Sequence, residues 1–185
     1  MHAKFYLSTA LSVGLVLAVS LVVLQRVKIH SLQRNLEEMR AKGNLQEGAL
    51  APPIKAMAFN GRAETIRFGT DSRPTLLYVF SPDCPWCASN TSAIDQLASK
   101  VRGRYDVIGI SLKDEGLGPF LANHPLTFPV YKGISEETRN VYRLATTPET
   151  IVVSPEARVT ANWNGAYLGA TERLVEDYFS VQLHF

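Results

Sequence analysis

Cysteine is scarce in this chain of 185 residues: it has two, Cys84 and Cys87. A structural zinc site needs four ligands, and there is neither a second Cys-x-x-Cys nor a closely spaced histidine pair to complete one. The histidines, His2, His30, His124 and His184, are scattered. His124 lies within the segment that reads as folded, where a surface loop position is expected. Charge of one sign is lacking too. The formal net charge is +2, too small to argue for a nucleic-acid partner. Internal repeats and low-complexity tracts are absent. The remaining composition is that of an ordinary folded protein and excludes a wholly disordered one, with 46% hydrophobic and 19% charged residues, 12 Gly and 10 Pro.

The longest stretch free of charge is "FYLSTALSVGLVLAVSLVVL", Phe5 to Leu24. Helical residues at ~1.5 Å each carry such a stretch across ~30 Å, the thickness of a hydrocarbon core. A cleaved signal peptide needs a small-residue site, and the best match, Ala18-Val19-Ser20, lies short of the end of the apolar run. An uncleaved membrane anchor over residues 5–24 is therefore expected, preceded by a short tail, residues 1–4. Lys4 comes before the span, whereas Arg26, Lys28 and Arg34 follow it. By the positive-inside rule alone the C-terminal side would stay in the cytoplasm. That rule is weak when a long folded domain flanks the span, and it leaves orientation open here.

Residues 25–49 read as a helical stalk and linker. Ile29, Leu32, Leu36 and Met39 recur at helical spacing, with Gly43 as a stop. The stripe either faces solvent beside the membrane or pairs two copies of the chain in a two-heptad coiled coil, giving a homodimer. The folded domain is expected over 50–185.

Within it, Asn60-Gly61 between two extended segments predicts a hairpin. "PTLLYVF", Pro74 to Phe80, is a continuous apolar run suited to a buried central strand. A helix is expected over Cys87 to Val101, with Ile94, Leu97, Ala98 and Val101 on one face. "YDVIGISL", Tyr105 to Leu112, predicts a second buried strand. "EGLGPFLANH" predicts a weak helix, and "LTFPVYKG" a short extended piece. A helix over Ser135 to Leu144 opens on a Ser135 cap, with Glu136 and Glu137 in its first turn. "ETIVVS" and "RVTANWNG" predict an antiparallel pair turned at Ser154 to Ala157. Thr171 to Leu183 predicts a closing helix with Leu174, Val175, Tyr178 and Phe179 facing inward. Strands alternating with helices indicate an α/β class, a three-layer domain around a mixed sheet.

Cys84-Pro85-Trp86-Cys87 sits where the apolar strand gives way to a helix. The first cysteine is thereby placed at a helix N-terminus, where unpaired N–H groups and the macrodipole favour a thiolate. Cys87 follows one turn later, in reach to close a disulfide onto Cys84. A carrier that uses the thiols as copper ligands has no need of that placement, and a redox pair does. Thr147-Pro148 stands immediately before a predicted strand, where a proline must be explained as a cis turn or an ordinary trans loop.

With these features on the page, the chain resembles the membrane-anchored TlpA/ResA-like thiol-disulfide oxidoreductases of thioredoxin fold, and is similar to the MauD-type accessory proteins. The resemblance covers Leu50 to Phe185. Its carriers are "APPIKAMAFNGRAETIRF" as an extra N-terminal hairpin, "LLYVFSPDCPWC" as the active-site strand and motif, and "YRLATTPETIVVSPEARV" as the cis-proline strand pair. The resemblance implies Cys84 as the exposed nucleophile and Cys87 as the resolving thiol. It further implies Pro148 as a cis-proline facing the disulfide, and Thr147 as a backbone partner for a bound substrate strand. It implies no cofactor beyond the Cys84–Cys87 disulfide, protein thiol or disulfide substrates outside the cytoplasmic membrane, apocytochrome c among them, and a membrane dithiol electron donor. An extracytoplasmic, periplasmic domain on a single-pass anchor follows from it.

The departures lie around the motif. Asp83 replaces the tryptophan that many relatives carry before the first cysteine, Tyr78 replaces the buried acid of thioredoxins, and Asn90 replaces a glutamate of the ResA-like branch. Asp83 is then the nearby carboxylate, and its charge is expected to raise the pKa of Cys84. Pro85-Trp86 is similar to the Cys-Pro-x-Cys pattern of glutaredoxins and DsbA-type oxidases. A reductant or isomerising carrier is the expected role. Two other readings stand beside it: a copper- or haem-handling chaperone, and a peroxiredoxin-like thiol peroxidase. For the peroxidase Ser81 is suitably placed, but Leu77 stands where that family has proline.

Overall fold

The computed structural model describes residues 20–31, 45–69 and 72–184 and divides the chain into two compact units, residues 1–42 and 43–185. In the first unit, residues 20–31 are helical (α1, as far as it is described), with Leu21, Val22, Val23 and Leu24 exposed. Among the described residues no helix is long and apolar enough to cross a membrane. The expected span over 5–24 falls, apart from residues 20–24, outside the described residues. So do residues 32–44 of the expected stalk and linker, whereas residues 45–49, expected as linker, belong to the second unit, where Leu45 is buried.

The second unit is a three-layer domain on one seven-stranded sheet. Its strands are β1 (Ile54–Ala58), β2 (Ala63–Ile66), β3 (Thr75–Phe80), β4 (Asp106–Ser111), β5 (Val130–Lys132), β6 (Glu149–Val153) and β7 (Val159–Asn164). They run in the spatial order β2-β1-β5-β4-β3-β6-β7. The three central strands β5, β4 and β3 are parallel, and the flanking strands join antiparallel. The helices are α2 (Pro85–Lys100), α3 (Leu117–Asn123), α4 (Glu136–Tyr142) and α5 (Ala170–Phe179).

β3 explains the layering. All six of its residues are buried, and the pleat sends alternate side chains to opposite faces. Leu76, Tyr78 and Phe80 enter a core with Cys87, Ile94 and Leu97 of α2 and Val175 and Phe179 of α5. Leu77 and Val79 enter a second core with Tyr142 of α4 and with Leu45 and Ala51. A strand covered on both faces carries no polar alternation, which is why this one reads as a continuous apolar run.

Most expected elements are in place. The hairpin turns at Asn60-Gly61, where Gly61 has φ +90° and the Asn60 side chain accepts from Arg62 N at 3.1 Å. The Ser135 hydroxyl caps α4, accepting from Thr138 N at 3.1 Å. Two helices end earlier than expected. α4 stops at Arg143, and α5 at Ser180, both of which adopt a left-handed conformation. Only half of the expected inner face of α5 is inside: Val175 and Phe179 are buried, whereas Leu174 and Tyr178 are exposed. Four residues at those spacings subtend too wide an arc for one contact stripe. The i, i+4 pair wins, and Tyr178 instead bonds Thr160 at the rim, hydroxyl to hydroxyl at 2.8 Å.

Residues 45–51 run along the start of β7. Gly48 N donates to Val159 O at 2.7 Å, Val159 N to Ala49 O at 2.9 Å, and Ala51 N to Ala157 O at 2.9 Å. Gly69 packs on the β6–β7 turn: it has φ +78°, and a Cβ there would lie 1.9 Å from the Pro155 carbonyl oxygen. Gly69→Ala combines a strained backbone with a backbone clash. It should cost at least ~2 kcal/mol, read as a lowered urea midpoint with the slope unchanged.

Candidate active site

The site forms where β3 ends and α2 begins. Cys84 is the N-cap of α2 (φ −92°, ψ 112°) and Pro85 takes the first helical position, where its missing N–H costs nothing. The cap is made by sulfur: Cys84 Sγ accepts from Cys87 N at 3.3 Å. Backbone bonds close the same turn, with Cys87 N donating to Cys84 O at 3.0 Å and Ala88 N at 3.2 Å. Cys84 is half-buried, Cys87 has no solvent exposure, and both are free thiols in this structure. Trp86 between them stands out into solvent, 60% exposed.

β6 brings the second part of the sequence to this turn. It pairs antiparallel with β3 in the register Val79↔Glu149, so the residues before Glu149 lie beside the chain leading to Cys84. The Thr147-Pro148 peptide is cis, and the Cys84 thiol donates to Thr147 O at 3.3 Å across 63 positions of sequence. The loop after β7 closes around it, with Gly165 N donating to Pro148 O at 2.8 Å.

The two sulfurs are driven apart in acidity. Burial pushes the Cys84 thiol up. Hydrogen bonds to its thiolate from the Cys87 and Thr147 side chains and from the N–H groups of Cys87 and Trp86 outweigh that, and leave it below its ordinary value. Burial pushes Cys87 up to about 12, and the bond it gives to Cys84 adds to the rise. The pair therefore holds one more acidic, partly accessible thiol and one buried, reserved thiol.

Asp83 is paired. Lys113 Nζ pairs with one of its oxygens and the Ser81 hydroxyl donates to the other. Lys113 first, then Ser81, holds the carboxyl below its usual range. The negative charge beside Cys84 is answered by a cation from the segment after β4, and the Cys84 thiol lies below its ordinary value through its own hydrogen bonds, Asp83 not being among the causes. Ser81, the hydroxyl a peroxidase reading needs, donates its hydrogen bond to Asp83. A groove of about 450 Å³ opens alongside, lined by Pro82, Asp83, Lys113, Gly116, Phe120 and His124. His124 stands at the end of α3 against the Phe120 ring, centroids 4.9 Å apart.

Beneath the cysteines lies a neutral polar cluster. Asn90, one turn after Cys87, donates to Tyr78 Oη at 3.5 Å and accepts from Tyr167 N at 2.7 Å. The Tyr167 hydroxyl pairs with that of Thr150 at 2.7 Å. Tyr78, Asn90, Tyr167 and Thr150 are all buried.

An acid does occur nearby, behind the sheet. Glu149 is fully buried on the face opposite the cysteine helix. It accepts from Asn162 Nδ2 at 3.0 Å, and its second oxygen has no partner. Burial raises its pKa to about 7. Sequence reasoning passed over it, though a lone acid opening the all-buried strand "ETIVV" was a readable signal. Lys113, Tyr167 and Thr150 were missed as well, because tertiary folding alone brings them to the motif. Among the described residues no group of three or more His, Cys, Asp or Glu side chains could hold a metal ion.

No family model matches the sequence, and no curated protein matches it. Solved structures do match. One is a candidate thiol:disulfide interchange protein DsbE from Chlorobium tepidum, at 19% identity and a TM-score of 0.64, over 74% of this chain and 97% of that one. Another is the thioredoxin domain of a thiol-disulfide oxidoreductase from Bacteroides vulgatus, at 17% identity and a TM-score of 0.60, over 73% of this chain and 99% of that one. StoA from Bacillus subtilis matches at 17% identity with a TM-score of 0.55, over 69% of this chain and 97% of its own. At these identities the likeness shows the fold: the domain is a thioredoxin fold.

Two outcomes follow from the charges. Lys113→Ala leaves Asp83 uncompensated beside Cys84 and should move the Cys84 thiol titration upward, read from ultraviolet thiolate absorbance against pH. Glu149 releases its proton near pH 4.5 when unfolded and near 7 when folded. Stability should therefore fall as pH rises between those values and stay low above them, by up to ~3 kcal/mol. Glu149→Gln should remove that fall, gaining over the parent at pH 8 but not at pH 4.5 in urea unfolding.

Proposed function

We propose that the chain is a membrane-anchored thiol-disulfide oxidoreductase that exchanges a Cys84–Cys87 dithiol with disulfides of exported proteins. The observation that carries the reading is the seat of Cys84 Sγ. It lies 3.3 Å from the Cys87 N–H and 3.3 Å from the Thr147 carbonyl, at the mouth of α2. Thiolate is the nucleophile in such exchange; the N–H groups of Cys87 and Trp86 at the mouth of α2 favour it, while the Thr147 carbonyl accepts from the thiol before it ionises.

The exchange proceeds in two steps. The Cys84 thiolate attacks a substrate disulfide, one substrate sulfur leaves as thiolate, and a mixed disulfide forms. Cys87 then gives up its proton and attacks Cys84 Sγ. The Cys84–Cys87 bond forms, and the second substrate thiolate departs protonated. The substrate gains two electrons and the pair loses them. Thr147 and Pro148 present backbone to an extended substrate segment, and Trp86 covers it from the α2 side. Reduction of exported proteins, as in cytochrome c maturation, is the direction that the resemblance to TlpA/ResA-like proteins supports. A membrane dithiol donor would return the electrons. The charge-free run Phe5 to Leu24 supports an anchor with the domain outside the cytoplasmic membrane, and the stripe through Ile29, Leu32, Leu36 and Met39 supports pairing of two stalks.

Cys87→Ala should trap mixed disulfides on Cys84, visible as adducts on non-reducing gels that reducing agent releases. Cys84→Ser should form none and should lose insulin-disulfide reduction. A Cys87→Ala chain that accumulates no adduct, or a parent chain that binds Cu(I) tightly but reduces no disulfide, overturns the reading.

A further inference from the structure

The loop after β7 is fastened on two sides. Toward β6, Gly165 N donates to Pro148 O at 2.8 Å, and the Thr146 hydroxyl donates to Asn164 Oδ1 at 2.9 Å. Toward α2, Tyr167 N donates to Asn90 Oδ1 at 2.7 Å. The Tyr167 ring fills the space between, 1% exposed, with its hydroxyl paired to that of Thr150 at 2.7 Å. Residues 164–167 thus form a clasp from the helix that bears the cysteines to the segment that bears Thr147 and Pro148. Asn90 is its anchor on the helix, 2% exposed. A buried peptide N–H needs an acceptor, and the Asn90 amide oxygen meets that need for Tyr167. A leucine of similar size would leave the N–H unanswered, at a cost the loop escapes by moving toward water.

The mouth of the cleft has a tie of its own, the Cys84 thiol donating to Thr147 O at 3.3 Å. That tie is consumed by the reaction. Once Cys84 loses its proton or bonds a substrate sulfur, the donor is gone. The clasp contains no sulfur and persists in every state of the pair. We propose that Asn90 is a positioning residue for polypeptide disulfides: through Tyr167 and Gly165 it holds the Thr147-Pro148 backbone beside Cys84 after the thiol has let go of it. A polypeptide that must lie along that backbone to react depends on the clasp, since small misplacements are costly in such alignments. A small disulfide that lays no chain in the cleft depends on it far less. The inference rests on the exchange reading above, and the test separates the two.

The reduced full-length chain in detergent is assayed with insulin and with a small aromatic disulfide whose released thiolate is coloured. The readout is the ratio of kcat/KM for insulin to kcat/KM for the small disulfide. Asn90→Leu should lower that ratio about tenfold, through the KM for insulin. Asn90→Ser, whose oxygen stops one bond short of Tyr167 N, should lower it likewise and answers the question where the leucine variant does not fold. Asn90→Asp keeps an oxygen for Tyr167 N and should hold the ratio within about twofold of the parent. A ratio that stays at the parent's value in the Leu and Ser variants, both substrates slowing together included, overturns the role of Asn90. So does a ratio that falls as far in the Asp variant. A parent chain that reduces neither substrate overturns the exchange reading, and the role of Asn90 with it.

Discussion

One sulfur organises this domain. Cys84 Sγ caps a helix, accepts from the Cys87 N–H, and donates a hydrogen bond to a carbonyl 63 positions away. Each contact draws on a different part of the chain. The cap needs β3 to end where it does, the N–H needs α2 to start with Pro85, and the carbonyl needs β6 to lie beside β3 in register. Seven strands and two cores serve to fix that meeting point. A thiol there is more acidic than a free one, and its neighbour a turn later is far less acidic.

The sheet keeps two polar problems on separate faces. In front, Tyr78, Asn90, Tyr167 and Thr150 form a neutral cluster under the thiols. Behind, Glu149 and Asn162 hold an acid with one oxygen unpartnered, and Asn162 Nδ2 also donates to Leu45 O at 3.0 Å. Residues 45–51 thus cover the acid as well as extending the sheet. Adjacent strand positions point to opposite faces, so Thr150 can join the thiol cluster while its predecessor stays out of it.

Much of this was legible in the sequence. The continuous apolar run Thr75–Phe80, the Asn-Gly turn and the Ser135 cap are local signals whose causes are local. Cys84 and Cys87 were legible because a strand, a proline at the first helical position and a helix follow one another without a break. Thr147-Pro148 stood out because proline is rare before a buried strand. Illegible were contacts made by register and packing. Lys113 answers Asp83 from just after β4, a pairing that no local pattern signals. Tyr167 reaches Asn90 from beyond β7. On α5, periodicity offered four inward candidates, and packing chose Val175 and Phe179.

The complete enclosure of Cys87 carries a chemical consequence. Peroxides and alkylating electrophiles that meet the reduced protein find a single reachable sulfur at the motif, so lesions such as sulfinic acid concentrate on Cys84. Its enclosed neighbour survives the insult but cannot repair it once that ladder has been climbed. Rapid closure of the bond between them is then also a shield, since a sulfur already paired offers an oxidant no lone thiolate to strike.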